Sequence, residues 1–396
     1  MVPYLIHENG TFPPPTGPYS IGRLALDLTD HSRADPYARR ATPRRLAVWV
    51  WYPAAPAPSA AAAAYLPGWW SALGPVWGFR PSRVRVRAVA DAPVDAGGNP
   101  YPVLVFSPSG NPPHFYSALF EELASHGYVV AGISHTYETI PISALVGGGA
   151  RLMSPKSLAG AFSVPGKRPF EVDLGERARV IEIKVDDVRF VIGALAAQHA
   201  GPGPLAGQLD TSRLGVLGRS FGGAAAARAC DVDERIAAGA NIDGGLWEAP
   251  ADVGARTPFM QLFAEHDEYV VACEEAVRRG FYANAGYCAS DRAMTLGSWQ
   301  ALHERARPGY GVLVRGAGHA GFIDWPLLPL WRFALARRGF GSAAPGVVSR
   351  VASDYLLAFF DRHLRGEPGS LLDGATEDAR VRVGPPEELF RPEVLP

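Results

Sequence analysis

The residues of this chain best suited to chemistry are a serine, a histidine and an aspartate that lie far apart along the sequence. Ser220 sits in Gly218-Arg219-Ser220-Phe221-Gly222, a G-x-S-x-G pattern between an apolar run, Leu214 to Leu217, and a small-residue run, Gly223 to Ala227. Strand, tight turn and helix in that order present a serine hydroxyl at a helix N-terminus, where free N–H groups can receive a developing oxyanion. Gly218 and Gly222 remove the Cβ atoms for which such a turn leaves no room. The hydroxyl becomes nucleophilic only when a base takes its proton, and a third group must orient that base. His135, His266 and His319 each follow a predicted strand. Only His319, in Gly316-Ala317-Gly318-His319, comes after the last strand and completes the order nucleophile, acid, histidine. His135 reads as packing or pocket wall, and His266, followed by two acids, as solvated or one step removed from the reacting atoms.

Two aspartates compete for the acid. Asp243, in Asn241-Ile242-Asp243-Gly244-Gly245, ends the strand after that of the serine, and Asp267, in His266-Asp267-Glu268, ends the next. The pattern leaves them even. The Phe221 N–H is the first expected oxyanion donor. The second is expected from Ser107-Pro108-Ser109-Gly110-Asn111, with Gly110 preferred and Asn111 the alternative as well as a candidate substrate contact. Each donor is typically worth about 2.7–4 kcal/mol of barrier.

These groups have to be carried by a sheet. Leu46–Tyr52, Val103–Phe106, Tyr128–Ile133, Leu214–Leu217, Ile236–Ile242, Phe259–Phe263 and Gly311–Val314 read as strands, alternating with helical stretches such as Phe115–His126, Arg177–Gln198 and Val351–Leu364. That alternation predicts an α/β fold, a mostly parallel central sheet with helices on both faces. Nothing marks a boundary, so residues 1–396 are expected to form a single domain. Within it, 1–43 read as an N-terminal arm, 53–100, 138–172 and 268–306 as insertions or cap, with a helix break near Gly286 to Ser290, and 367–396 as a loose tail. Tyr65, Trp69, Trp70, Trp77 and Phe79 cluster in the first insertion. Such clusters more often pack a core than wall a substrate, and Trp69 and Trp70 are the candidates for a substrate-binding lid.

Composition narrows the function. With 47% hydrophobic residues, 19% charged residues and a net charge of −1, the chain lacks the basic stripe of a nucleic-acid binder and the polarity of a disordered one. Three cysteines, Cys230, Cys273 and Cys288, are too scattered for a disulfide framework or zinc site; Cys273 and Cys288 could pair, but free buried thiols are expected. No metal or cofactor motif occurs, no apolar run approaches a membrane span, and the first residues lack a secretory signal, which predicts a cytoplasmic protein. The oligomeric state is not legible.

The motifs resemble the platelet-activating-factor acetylhydrolase (group VII phospholipase A2-like) branch of the α/β-hydrolases, particularly its bacterial members. The resemblance rests on Val103-Leu-Val-Phe-Ser-Pro108, Tyr116-Ser-Ala-Leu119 with Leu123-Ala-Ser-His-Gly127, the Ser220 turn, Asn241-Ile-Asp-Gly-Gly245 and Gly318-His319. It implies the α/β-hydrolase fold, an acid on the strand after the nucleophile and hence Asp243, and calcium-independent hydrolysis of short or oxidised acyl esters through an acyl-serine. Three features depart from the branch: Pro108-Ser109 before the oxyanion residue, Arg219 in the turn, and a long stretch from Asp243 to His319. The expected function is therefore a serine carboxylester hydrolase acting on a small or short-acyl ester. Acyl transfer or cyclisation by the same residues is the alternative, and a non-catalytic binding protein on this fold the remote one.

Overall fold

Strands form here where several consecutive residues are apolar, because helices cover both faces of the sheet and leave no solvated side to alternate with. The computed structural model describes residues 12–74, 78–157, 165–254, 256–328, 337–374 and 378–391. In chain order the strands are β1 (Ser20–Ala34), β2 (Pro43–Ala54), β3 (Val89–Ala90), β4 (Tyr101–Ser107), β5 (Val129–Ser134), β6 (Ile142–Ala144), β7 (Ala150–Leu152), β8 (Leu209–Arg219), β9 (Ala238–Ile242), β10 (Phe259–Phe263), β11 (Gly309–Val314) and β12 (Val381–Val383). The principal helices are α1 (Ser117–Ser125), α2 (Phe170–Ala200), α3 (Phe221–Val232), α4 (Cys273–Arg278), α5 (Ala285–Arg305) and α6 (Pro345–Phe360).

Ten strands make one sheet in the order β12-β11-β10-β9-β8-β4-β5-β2-β1-β3, while β6 and β7 pair as a separate hairpin. The six central strands, from β11 to β5, are mutually parallel, and β2, β1 and β12 join antiparallel. From β4 the chain steps to β5 on one side and later returns as β8 on the other. The crevice beyond the carboxyl ends of β4 and β8 is thus a topological switch point, where ligands bind in open α/β sheets. Alternate residues of β4 serve opposite faces: Leu104 and Phe106 join one buried cluster with Phe120, Leu356 and Phe359, whereas Val103 and Val105 join another with Val188, Val191 and Ala225. Helices α1 and α6 cover the first face, α2 and α3 the second. This is an α/β-hydrolase architecture.

Several expectations need correction. The segment read as an arm supplies β1, whose register with β2 runs from Ser20↔Ala54 to Asp30↔Arg44; its polar outward residues hid the strand period. The tail contributes β12, paired with β11. Helix α2 begins at Phe170, before Arg177, with Glu171 and Asp173 in its first turn, where carboxylates favour a helix N-terminus. The break between α4 and α5 falls before Gly286, where the Asn284 side chain caps the new helix by accepting the Tyr287 N–H at 2.8 Å. Cys273 and Cys288 are disulfide-bonded, tying the start of α4 to the first turn of α5, and only Cys230 among the three is free. Trp77, the first eleven residues and the last five lie outside the described residues. Among the described residues, no helix is long and apolar enough to cross a membrane.

Candidate active site

Ser220 stands between β8 and α3 with φ 57° and ψ −125°, a conformation that costs a non-glycine residue about 1–3 kcal/mol. The glycines around it are steric necessities. A Cβ on Gly222 would lie 1.7 Å from the Ser107 carbonyl oxygen, and one on Gly218 would lie 2.1 Å from that of Gly222. The Ser220 N–H donates to the Ile242 carbonyl at 2.9 Å, and its own carbonyl accepts from Gly223 and Ala224. The N–H groups of Phe221 and Gly222, at the start of α3, have no acceptor within the helix. Phe221 stacks on Trp247 with ring centroids 4.4 Å apart, and the Arg177 guanidinium lies over that indole at 5.3 Å.

Asp243 follows β9 one strand away, itself held at φ 56°. The Asn241 side chain makes that turn by donating to the Gly244 carbonyl at 2.7 Å and accepting the Gly244 N–H at 2.9 Å, while the Trp299 indole donates to the same carbonyl. Only glycine fits at 244, since a Cβ there would lie 2.2 Å from the Ser220 carbonyl oxygen. The Asp243 carboxylate is fully buried. Its Oδ2 meets His319 Nδ1 at 2.6 Å, and its Oδ1 accepts the Ala264 N–H at 2.7 Å and lies 2.8 Å from His266 Nε2. Burial opposes its ionisation, but the facing imidazoles of His266 and His319 overrule that and hold it well below the usual carboxylate range. With Nδ1 engaged, Nε2 is the atom of His319 able to take a proton. The ring keeps 44% of its surface open, enough for a substrate to reach it. Desolvation by the surrounding loops and the positive charge of Arg219 pull its pKa down.

Arg219 and His266 carry more than the sequence disclosed. The Arg219 guanidinium donates to the carbonyl of His319, pinning the histidine loop to the serine's turn. His266 reaches back from the loop after β10 to Asp243, and its other nitrogen lies 2.8 Å from Glu268 Oε1. The available signal was the acid two residues beyond a histidine on the strand next to that of Asp243. The Asp267 side chain is 59% exposed and pairs with Arg279.

The loop after β4 is fixed from beneath. Lys184 of α2 donates to the carbonyls of Pro108 and Ser109 at 3.3 and 3.2 Å and pairs with Glu138 at 2.8 Å. Gly110 is buried, its carbonyl accepting the Ile140 N–H at 2.8 Å, and Asn111 lies beside the Tyr116 hydroxyl. The end of β4 abuts the first turn of α3 through Ser107 and Gly222, which brings this loop alongside Phe221. His135, read from the sequence as packing or pocket wall, is buried between Ser107 and Asp187. Of the two tryptophans expected at the substrate, Trp70 is a correction. It is fully buried, donates to the Ile142 carbonyl at 3.0 Å and packs on Trp49 and His114, so no substrate meets it. Trp69 is 55% exposed.

Two groups of carboxylates and imidazoles draw together among the described residues, Asp243–His266–His319 and His135–Glu138–Asp187. Their facing atoms are already committed to hydrogen bonds or ion pairs with one another, Arg44 or Lys184, so both read as proton-holding networks. The first arrangement leaves His319 Nε2 as the nitrogen that can accept a proton and places Asp243 to stabilise the resulting imidazolium.

Known proteins are similar to this chain. A model of the family described as platelet-activating factor acetylhydrolase, isoform II, matches residues 10–146. A probable 1-alkyl-2-acetylglycerophosphocholine esterase of Arthroderma benhamiae is 31% identical over 267 residues, 61% of either chain. The platelet-activating factor acetylhydrolase of Cavia porcellus is 25% identical over 61% of this chain and 52% of its own. These matches span less than two thirds of either relative. A solved ferulic acid esterase from Streptomyces cinnamoneus superposes with a TM-score of 0.73 at 29% identity, covering 95% of this chain and 99% of that one. By sheet order and these likenesses, the chain has the α/β-hydrolase fold and is similar to its platelet-activating-factor acetylhydrolase branch.

Proposed function

We propose that this protein is a serine carboxylester hydrolase. The observation that carries the reading is the 2.6 Å contact between His319 Nδ1 and a buried, ionised Asp243, next to a serine in a strained turn at the start of a helix. In this reading Ser220 Oγ attacks the ester carbonyl carbon while its proton passes to His319 Nε2. The oxyanion is received by the Phe221 N–H and an N–H of the 109–111 loop, with Gly110 first and Asn111 second. Collapse breaks the acyl–oxygen bond, and the departing alcohol takes the proton from His319. Water then adds to the acyl-serine by the same path, releasing the acid and restoring the hydroxyl.

The substrate we propose is a small or short-acyl ester, supported by an acetylated glycerophosphocholine in one relative's name and an aromatic acid ester in the neighbour's. A fluorophosphonate should label Ser220 stoichiometrically, identified by peptide mapping; an unlabelled, folded protein would end the proposal. A panel of p-nitrophenyl esters of increasing acyl length, with methyl ferulate and a 2-acetyl glycerophosphocholine alongside, then ranks the acyl classes. Location divides on one observation. The Cys273–Cys288 disulfide favours an oxidising compartment. Thiol labelling in denaturant, on protein trapped directly from its host, decides: one reactive cysteine supports oxidation, three the cytoplasm.

A further inference from the structure

The hydrogen bonds at Asp243 do not end with His319. They continue through His266 to Glu268, giving a chain of alternating imidazole and carboxylate: His319, Asp243, His266, Glu268. Asp243 Oδ2 serves one histidine and Oδ1 the other, so the carboxylate is gripped from two sides, with the Ala264 N–H as a third donor. A neutral imidazole has one N–H. His266 is flanked at 2.8 Å on both nitrogens by carboxylate oxygens, and only the imidazolium can donate to both.

We propose that His266, clamped by Glu268, is a positioning residue that works as a permanent imidazolium: it fixes the Asp243 carboxylate for His319 and its charge sets the pH at which His319 becomes a base. The inference rests on the serine hydrolase reading above. Its electrostatics follow from spacing. The rings of His266 and His319 lie 6.3 Å apart, close enough for a fixed positive charge on one to disfavour protonation of the other. Desolvation opposes the charge on His266, but Asp243 and Glu268 outweigh it and raise its pKa well above the ordinary histidine range. The groups facing the pair are few. They are Asp243 from the β9 turn, Glu268 from the same loop, Arg219 from the serine's turn beside His319, and the Tyr269 hydroxyl, with Trp299 of α5 packing against Tyr269 and in ring contact with His266. Asp291 and Tyr282 lie beyond Tyr269, and Asp267 turns outward to Arg279.

The consequence has a sign. With His266 charged, His319 gives up its proton at lower pH, so the enzyme switches on earlier as pH rises. His266→Gln keeps a donor to Asp243 without the charge, and Glu268→Gln removes the carboxylate that stabilises it. Each should move the acid limb of the kcat/KM profile upward, by about one pH unit for His266→Gln and less for Glu268→Gln. At pH values below the wild-type limb, His266→Gln should lose about tenfold, recovering toward wild type above the new limb. The pH dependence of fluorophosphonate labelling should shift in parallel, without reference to any substrate. If His266→Gln folds and loses activity equally at every pH, or keeps the wild-type acid limb, the charge has no such role and the inference is overturned. Absence of labelling in the wild type would instead overturn the function itself.

Discussion

The molecule contains two sets of serine, histidine and aspartate, and the proposed function gives the reaction to only one. Ser107 Oγ lies 2.9 Å from His135 Nε2, and His135 Nδ1 lies 2.8 Å from Asp187 Oδ2. By hydrogen-bond connectivity alone that is a serine–histidine–aspartate relay. Ser107, His135 and Asp187 are all buried, and the serine ends an ordinary strand. Asp187 is answered by Arg44, itself fully buried and also paired with Asp35 and Glu138. Ser220 instead sits on a strained turn at a helix start, and His319, the base proposed for it, is 44% exposed. Residue type and the histidine–aspartate contact are common to both sets; strain, an exposed histidine and unspent N–H donors belong to one. Nucleophilic catalysis needs all of these.

The widest separation between the two sets comes from removing each serine. Ser220→Ala should lower turnover by about six orders of magnitude if its neighbours act as a unit. Ser107→Ala should leave turnover within a few-fold and cost about 1 kcal/mol of stability, the worth of one buried hydrogen bond. Turnover numbers and denaturant melts on both variants check this, and a Ser107→Ala enzyme as dead as Ser220→Ala would erase the distinction.

Next come the acids. Asp243→Asn should reduce kcat by about ten-thousandfold, because His319 loses the group that holds its tautomer and stabilises its charge. Asp267→Asn, on an exposed side chain facing Arg279, should leave kcat unchanged. A larger loss from the second would return the acid to the loop after β10.

How much of this the sequence disclosed depends on how local the cause was. Ser220, with its bracketing glycines, was legible because the constraint lies within five residues. The central parallel strands were legible because each is a continuous apolar run. The choice of Asp243 over Asp267 was not legible from the residues and needed the resemblance, since what separates them is the Asn241 turn and the reach of His319 across neighbouring strands. His266 and Arg219 stayed hidden for the same reason, each acting on a partner from another strand. Strand β1 was missed because polar residues fill its exposed positions and charged Arg23 and Asp30 its buried ones, and the disulfide because fourteen intervening residues gave no hint that α4 and α5 return to one another. Trp70 misled because a cluster of aromatics looks the same whether it lines a cavity or fills a core.

The buried set should declare itself through stability. Burial opposes the charge on Asp187, but Arg44 beside it and the bond from His135 hold it well below the usual carboxylate range. A depressed folded pKa contributes stability that is present above the unfolded value, about 3.9, and is lost as pH falls below it. His135, kept neutral by burial and by Lys184, adds a loss that begins as pH drops through about 6.5, where the unfolded chain takes up the proton first. Asp187→Asn should therefore cost about 3–5 kcal/mol at neutral pH, leaving Arg44 short of a partner, and should flatten the decline below about pH 4. Urea melts from pH 3 to 8 on both proteins measure it; parallel curves would mean that Asp187 carries no special charge.

The two sets meet at one place, and the smallest effect tests whether that meeting matters. Lys184 stands in the buried network through Glu138, yet its other donors go to the carbonyls of Pro108 and Ser109, the loop proposed to supply the second oxyanion N–H. Peptide planes are rigid, so holding those two carbonyls downward fixes the direction of the N–H groups that follow. Lys184→Met frees the loop without touching any reacting atom. Misplacement of a donor by a fraction of an ångström to one ångström costs about 10- to 100-fold in rate, and the loss should fall on kcat, with KM nearly unchanged, because the oxyanion forms only on the way to the transition state. Lys184→Gln, which keeps an N–H donor but no charge, should recover part of the rate while sharing the loss of stability from an unpaired Glu138. If both variants melt early but turn over at the wild-type kcat, the buried network is a foundation and nothing more. If kcat tracks the donor rather than the charge, the inert set is part of what makes the reactive one work.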